Sequence, residues 1–214
     1  MALPMGRCAV YLTLHNVPTM DNDLYRDITE HARSTPEWVH SLAEVGTEAG
    51  LLLLMAVVVG IWWRARRGGA RGVALAALVP VTTAVAYAVS EVVKSLVEEV
   101  RPCRAVTGAA ASLATCPAPD DWSFPSNHAT LAAALATGIA VARRVMAWLV
   151  LPLAVLVAFS RVFLGVHYPH DVAVGLALGA AVALLGARLL TRRGTALVER
   201  ARAGTGPWSV LVKG

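Results

Sequence analysis

Lys94, Arg101 and Arg161 are cations, His128 and His167 are imidazoles and Asp171 is a carboxylate, and all six stand at the ends of apolar stretches. Ionisable groups beside membrane-length apolar spans are expensive, so by default they mark function. They fall into three blocks: Lys94 with Arg101-Pro102, then Pro125-Ser126-Asn127-His128, then Ser160-Arg161 followed by His167 and Asp171. This inventory suits phosphate chemistry. Fixed cations hold the oxygens, one imidazole attacks phosphorus, and a second moves a proton.

Each block also has a plainer reading. Ser126 is a natural N-cap where a polar loop becomes an apolar helix, and the unpaired N–H groups of that first turn offer an anion site. The plain alternative is a cap with an incidental His128. His167 and Asp171 are four apart around Tyr168-Pro169. Asp171 is either a helix cap or the acceptor of one ring proton, which would leave the other ring nitrogen of His167 as a nucleophile. Alone, Arg161 could be a snorkelling side chain, and Lys94 with Arg101 could be headgroup contacts. A zinc site from His128, His167, His170 and Asp171 is the metal alternative. Three neighbouring cations oppose it, so no metal or other cofactor is expected. His170 and Cys8 receive no role.

The elements that must position these blocks follow from composition. Of 214 residues, 57% are apolar and 15% charged, and the apolar runs are too many for a soluble core of this size. The expected fold is an all-α integral membrane bundle of about five transmembrane helices plus an N-terminal interfacial amphipathic helix. Spans are expected at about 45–63, 72–93, 128–143, 145–163 and 171–190. Residues 1–44 then form an extracytoplasmic or interfacial segment, 45–190 the membrane domain and 191–214 a short cytoplasmic tail. The mixed stretch 20–44 reads as a surface helix broken near Pro36. No secretory signal is evident in Met1–Leu14.

Arginine clusters orient the bundle. The loops with Arg64–Arg71, Arg143-Arg144 and Arg188–Arg193 alternate along the chain, which makes them cytoplasmic by the positive-inside rule. The three blocks then lie together outside a bacterial-type plasma membrane. The net charge of +5 sits in those loops without interleaved aromatics, so a nucleic-acid partner is not expected. Cys103 and Cys116 flank an outer loop, where either a disulfide or two free thiols is consistent with the sequence.

The spacings Lys-x6-Arg-Pro, Pro-Ser-x-His and Ser-Arg-x5-His-x3-Asp, in that order, resemble the type 2 phosphatidic acid phosphatase superfamily over roughly residues 40–190. Within it, the short chain and five spans are most similar to the bacitracin-resistance type of undecaprenyl-diphosphatase. Asn127 stands where many members have Gly. The resemblance implies phosphate binding by Lys94, Arg101, Ser126, Asn127 and Arg161. It also implies a phosphohistidine on His167, oriented by Asp171, and acid–base work by His128. The implied substrate is a lipid phosphate, foremost an undecaprenyl or decaprenyl diphosphate. Phosphatidylglycerol phosphate, phosphatidic acid and a prenyl-linked sugar phosphate remain alternatives, as does a non-catalytic lipid-phosphate binder. A soluble vanadate haloperoxidase of the same superfamily is excluded by the spans. Oligomeric state is not readable.

Overall fold

The computed structural model describes residues 19–204 together with residue 212, and every described regular element is helical. Helix α1 spans Thr19–Ser34, α2 Glu37–Ala65, α3 Ala70–Val97, the single turn α4 Pro102–Ala105, α5 Asn127–Ala142, α6 Ala147–Phe163 and α7 Pro169–Ala203. Four stretches are long and apolar enough to cross a membrane: Glu37–Ala65, Ala70–Ala105, Arg144–Phe163 and Pro169–Ala203.

The fifth membrane helix, α5, has only 16 residues, or roughly 24 Å at 1.5 Å per residue, short of a hydrocarbon core of about 30 Å. Its position accounts for the deficit. It packs against α2, α3, α6 and α7, and Ala129, Ala132, Ala133, Ala134, Leu135, Ala136 and Ile139 are all buried. A helix sheathed by protein need not match the bilayer with its own length. Small side chains permit this sheathing, as expected where helices associate without a hydrophobic driving force. The closest approach is at Gly179 of α7. A Cβ there would run into the Thr130 carbonyl oxygen and come within 2.9 Å of the Ala134 nitrogen.

Two boundaries differ from expectation. The segment 20–44 breaks over Ser34–Pro36, as expected near Pro36, but residues 37–44 open the membrane helix α2 instead of continuing as a surface helix. Pro36 accounts for the break, since it disfavours helical backbone at Thr35 before it. Residues 44 and 45 are therefore continuous helix. At the other end α7 passes residue 190 unbroken, runs through Gly194 and reaches Ala203, with Gly204 as its C-cap. Val198 packs on Val73 and Ala74. Arg202 donates to the Arg66 and Gly68 carbonyls at 3.0 and 2.8 Å, which docks the extension beneath the α2–α3 turn. Met1–Leu14 and Cys8 lie outside the described residues.

Helix α1 docks on the bundle rather than merely floating at an interface. Tyr25 and Ala32 are fully buried, and Ile28 packs among Ala129, Ala158, Val162 and Val172. The Tyr25 hydroxyl donates to the Gly165 carbonyl at 2.9 Å, and burial pushes that phenol up to about 12. Arg26 and Arg33 donate to the carbonyls of Thr107 and Ala111. A disulfide joins Cys103 to Cys116 in the same loop.

Since Gly179 has backbone against it, Gly179→Ala is expected to force α7 away from α5 and cost about 1–3 kcal/mol. Thermal unfolding in detergent measures this; an unchanged midpoint would show that the contact is slack.

Candidate active site

His167 is placed by the turn between α6 and α7. Gly165, at φ 79°, turns the chain. Leu164 and Val166 are buried on either side of it, and His167 follows them inward to 2% exposure. Its Nδ1 lies 3.1 Å from Asp171 Oδ2, one turn into α7. That oxygen also accepts the Tyr168 N–H at 2.8 Å and the Ser123 hydroxyl at 2.5 Å. A carboxylate so placed assigns the ring proton to Nδ1, leaving the lone pair on Nε2. Arg101 Nη1, which can only donate, lies 3.0 Å from Nε2. Burial first, then the charges of Arg101, Arg161 and Lys94, hold His167 well below the usual imidazole range. The ring is neutral, buried and nucleophilic in form.

Backbone carbonyls set the cations around it. Arg101 donates to Asp121 O at 2.7 Å and Val166 O at 2.9 Å, and Lys94 donates to Trp122 O at 2.5 Å. Asp121 Oδ1 sits between them, 2.8 Å from Arg101 Nη2 and 3.3 Å from Lys94 Nζ. Burial favours its neutral form, but the bonds and charges of Arg101 and Lys94 prevail and hold Asp121 below the usual carboxylate range. It therefore stays ionised and occupies the space between the two cations. Arg161, in the last turn of α6, keeps a buried Nε with no hydrogen-bond partner among the described residues. Such an orphan donor calls for an explanation, and an anionic ligand provides one.

Ser126 caps α5 by accepting the Ala129 N–H at 3.5 Å. Its own N–H donates to the Asp171 carbonyl at 3.1 Å, tying the first turns of α5 and α7 together. Asn127 is the exception in the expected set. Its side chain accepts from Ser90 at 2.7 Å and donates to Glu91 at 2.6 Å, both on α3. One N–H of its side-chain amide is used in this way, and its backbone N–H lies in the first turn of α5. His128 Nε2 lies 2.8 Å from Glu48 Oε1 on α2.

His170, given no role from sequence, is a hub. Its Nδ1 lies 2.7 Å from Asp21 Oδ2 on α1, and its Nε2 lies 3.1 Å from Glu99 Oε2 and 3.2 Å from Asp171 Oδ1. The ligand atoms of Glu99, His170 and Asp171 fall within 4.8 Å of one another. A histidine flanked by three carboxylates accounts for that grouping and ties α1 to the carboxylate beside His167 Nδ1. Sequence reasoning missed Asp121 and Ser123 although both lie in the Asp-Asp-Trp-Ser run just before Pro125. It also missed Glu48, Glu99 and Asp21, which become neighbours only on folding.

The fold and this grouping define a helical membrane protein with cations and imidazoles gathered at one end of its bundle. The chain belongs to the PAP2 superfamily, whose family profile matches residues 74–195, more than half of it. It is 45% identical over 100 residues to the decaprenylphosphoryl-5-phosphoribose phosphatase of Mycobacterium tuberculosis, covering 46% of this chain and 51% of that protein. It is 32% identical over 106 residues to the undecaprenyl-diphosphatase of Sulfolobus acidocaldarius, covering 49% and 50%. The chain thus matches about half the length of these curated relatives. The crystal structure of Aquifex aeolicus LpxE superposes with a TM-score of 0.66 at 16% identity, over 81% of this chain and 98% of that one, which shows the shared fold.

Removing the competing carboxylate with Asp121→Asn is expected to tighten inhibition by inorganic phosphate several-fold. The inhibition constant measures it; weaker inhibition would mean that Asp121 organises the cations for the ligand rather than competing with it.

Proposed function

We propose that the protein is a metal-independent lipid phosphatase acting at the extracytoplasmic face of a bacterial-type plasma membrane. The observation that carries this reading is the setting of His167: buried, with Nδ1 3.1 Å from Asp171 Oδ2 and Nε2 3.0 Å from Arg101 Nη1. Lys94, Arg101 and Arg161 grip the phosphate oxygens. Ser126 and the first-turn N–H groups of α5, that of Asn127 among them, add hydrogen bonds. As phosphate binds, Arg101 releases the His167 lone pair and turns its donors to the incoming oxygens.

His167 Nε2 then attacks phosphorus. A P–N bond forms as the bond to the leaving oxygen breaks, and that oxygen departs with the electron pair and takes a proton from His128. In the second step water attacks the phosphohistidine and gives its proton to His128. The P–N bond breaks, releasing inorganic phosphate and restoring His167. Charge compensation by positioned cations is the main lever in phosphoryl transfer, and acid–base help adds about 10²–10⁴-fold.

The substrate is a polyprenyl lipid with a terminal phosphate, foremost an undecaprenyl or decaprenyl diphosphate, as the name of the Sulfolobus relative suggests. A prenyl-linked sugar phosphate is the second reading, favoured by the more similar mycobacterial relative. Positive loops at Arg64–Arg71, Arg143-Arg144 and Arg188–Arg193 support a cytoplasmic location for the opposite end of the bundle.

Purified protein is expected to release phosphate from a panel of prenyl diphosphate, prenyl phosphate, phosphatidic acid and phosphatidylglycerol phosphate in the presence of a chelator. His167→Ala should abolish turnover and the acid-labile phosphoenzyme trapped on rapid quenching. Activity lost on chelation, or retained by His167→Ala, would refute the mechanism. For sidedness, a cysteine at Ala110 in a Cys8→Ser background should react with an impermeant maleimide in intact cells; reaction only after lysis would put the site in the cytoplasm.

A further inference from the structure

Glu48 has no role in the chemistry above, yet it is the residue that touches the proposed acid–base group. It is the last ionisable residue of α2 before the fifteen uncharged residues 49–63. An acid at the edge of such a run marks function by default. That partner is His128, with Glu48 Oε1 2.8 Å from His128 Nε2. The contact bridges α2 to the first turn of α5, and α2 is held in register to make it. Thr47, buried beside Glu48, hydrogen-bonds Ser160, the neighbour of Arg161. One turn on, Gly50 packs so closely on α6 that a Cβ would strike Val157 Cγ2.

We propose that Glu48 is a positioning residue for His128, fixing the ring so that the nitrogen it does not hold delivers the proton to the leaving oxygen. The inference rests on the phosphatase reading and extends it. The symmetry with the nucleophile is physical: Asp171 holds one nitrogen of His167 and frees the other, and Glu48 does the same for His128. Its negative charge also suits a proton donor that must carry positive charge among Arg101 and Arg161, whose fields both reach the His128 ring. A purely structural ion pair is the weaker account. The Glu48 side chain is 68% exposed and that of His128 25%, and pairs open to solvent add little to stability.

Leaving-group dependence separates the two accounts. An alkyl oxygen needs a proton as it departs, whereas p-nitrophenolate leaves without one. Turnover of p-nitrophenyl phosphate is compared with turnover of the faster of farnesyl phosphate and phosphatidic acid, for wild type, Glu48→Gln, His128→Ala and the double variant. The expected result for Glu48→Gln is a fall of about 10–100-fold in kcat/KM, which reports the first step, on the alkyl ester and less than about threefold on the aryl ester, a part of the acid–base factor. The double variant should be no worse than His128→Ala, and Glu48→Asp should recover part of the alkyl kcat/KM. The ratio of the two kcat/KM values does not depend on the folded fraction, so the readout survives partial misfolding.

Equal loss on both esters, full alkyl activity, or additive losses in the double variant would overturn the role of Glu48 while leaving the phosphatase reading intact. A His128→Ala protein without leaving-group bias would overturn both Glu48 and the acid role of His128. Wild type inactive on every ester would overturn the phosphatase reading and this extension with it.

Discussion

Repulsion among Lys94, Arg101 and Arg161 around one buried imidazole is the constraint on which the rest of the structure depends. Like charges brought together out of water are costly unless something holds them and something answers them. What holds Lys94 and Arg101 is largely neutral: the carbonyls of Asp121, Trp122 and Val166. A carbonyl positions a cation without cancelling its charge, so the positive field stays available to a ligand. Asp121 answers part of it from a half-exposed position. The unpaired Nε of Arg161 marks the part left open.

The same field sets the state of His167. A buried imidazole facing cations keeps its lone pair, and Asp171 decides which nitrogen carries it. Asp171 Oδ2 in turn accepts from Ser123 and the Tyr168 N–H, and His170 lies 3.2 Å from Oδ1. Through His170 the amphipathic helix α1 and Glu99 become neighbours of the carboxylate beside His167. The N-terminal helix is thus part of the architecture of the site as well as a lid on the bundle.

Much of the helix plan could be read from the chain. The spans at 72–93 and 145–163 are the cores of α3 and α6, because long apolar runs bounded by arginines are strong local signals. Boundaries were less readable. Residues 37–44 carry mixed charge and look like surface, yet they extend α2 beyond its apolar run; residues 191–203 look like tail, yet α7 continues through them. Both cases reflect helix propagating through polar sequence until a breaker stops it. The short α5 was placed correctly, but its central, sheathed position was not evident, since burial from lipid depends on neighbours.

The chain by itself determined the candidate groups. Lys94, Arg101, His128, Arg161, His167 and Asp171 are picked out by local spacing and by the expense of charge next to apolar spans, both properties of contiguous sequence. Only the tertiary structure decided which of their neighbours take part. Asn127 looked like a phosphate contact and turned its side chain to Ser90 and Glu91 on α3. Asp121 emerged between two cations, and Glu48, 80 residues from His128, met its ring. Those pairings come from separate helices, and their geometry follows from how closely Gly179 lets α7 and α5 approach and where Gly50 seats α2. No local pattern encodes a contact that exists only when four helices share one end of a bundle.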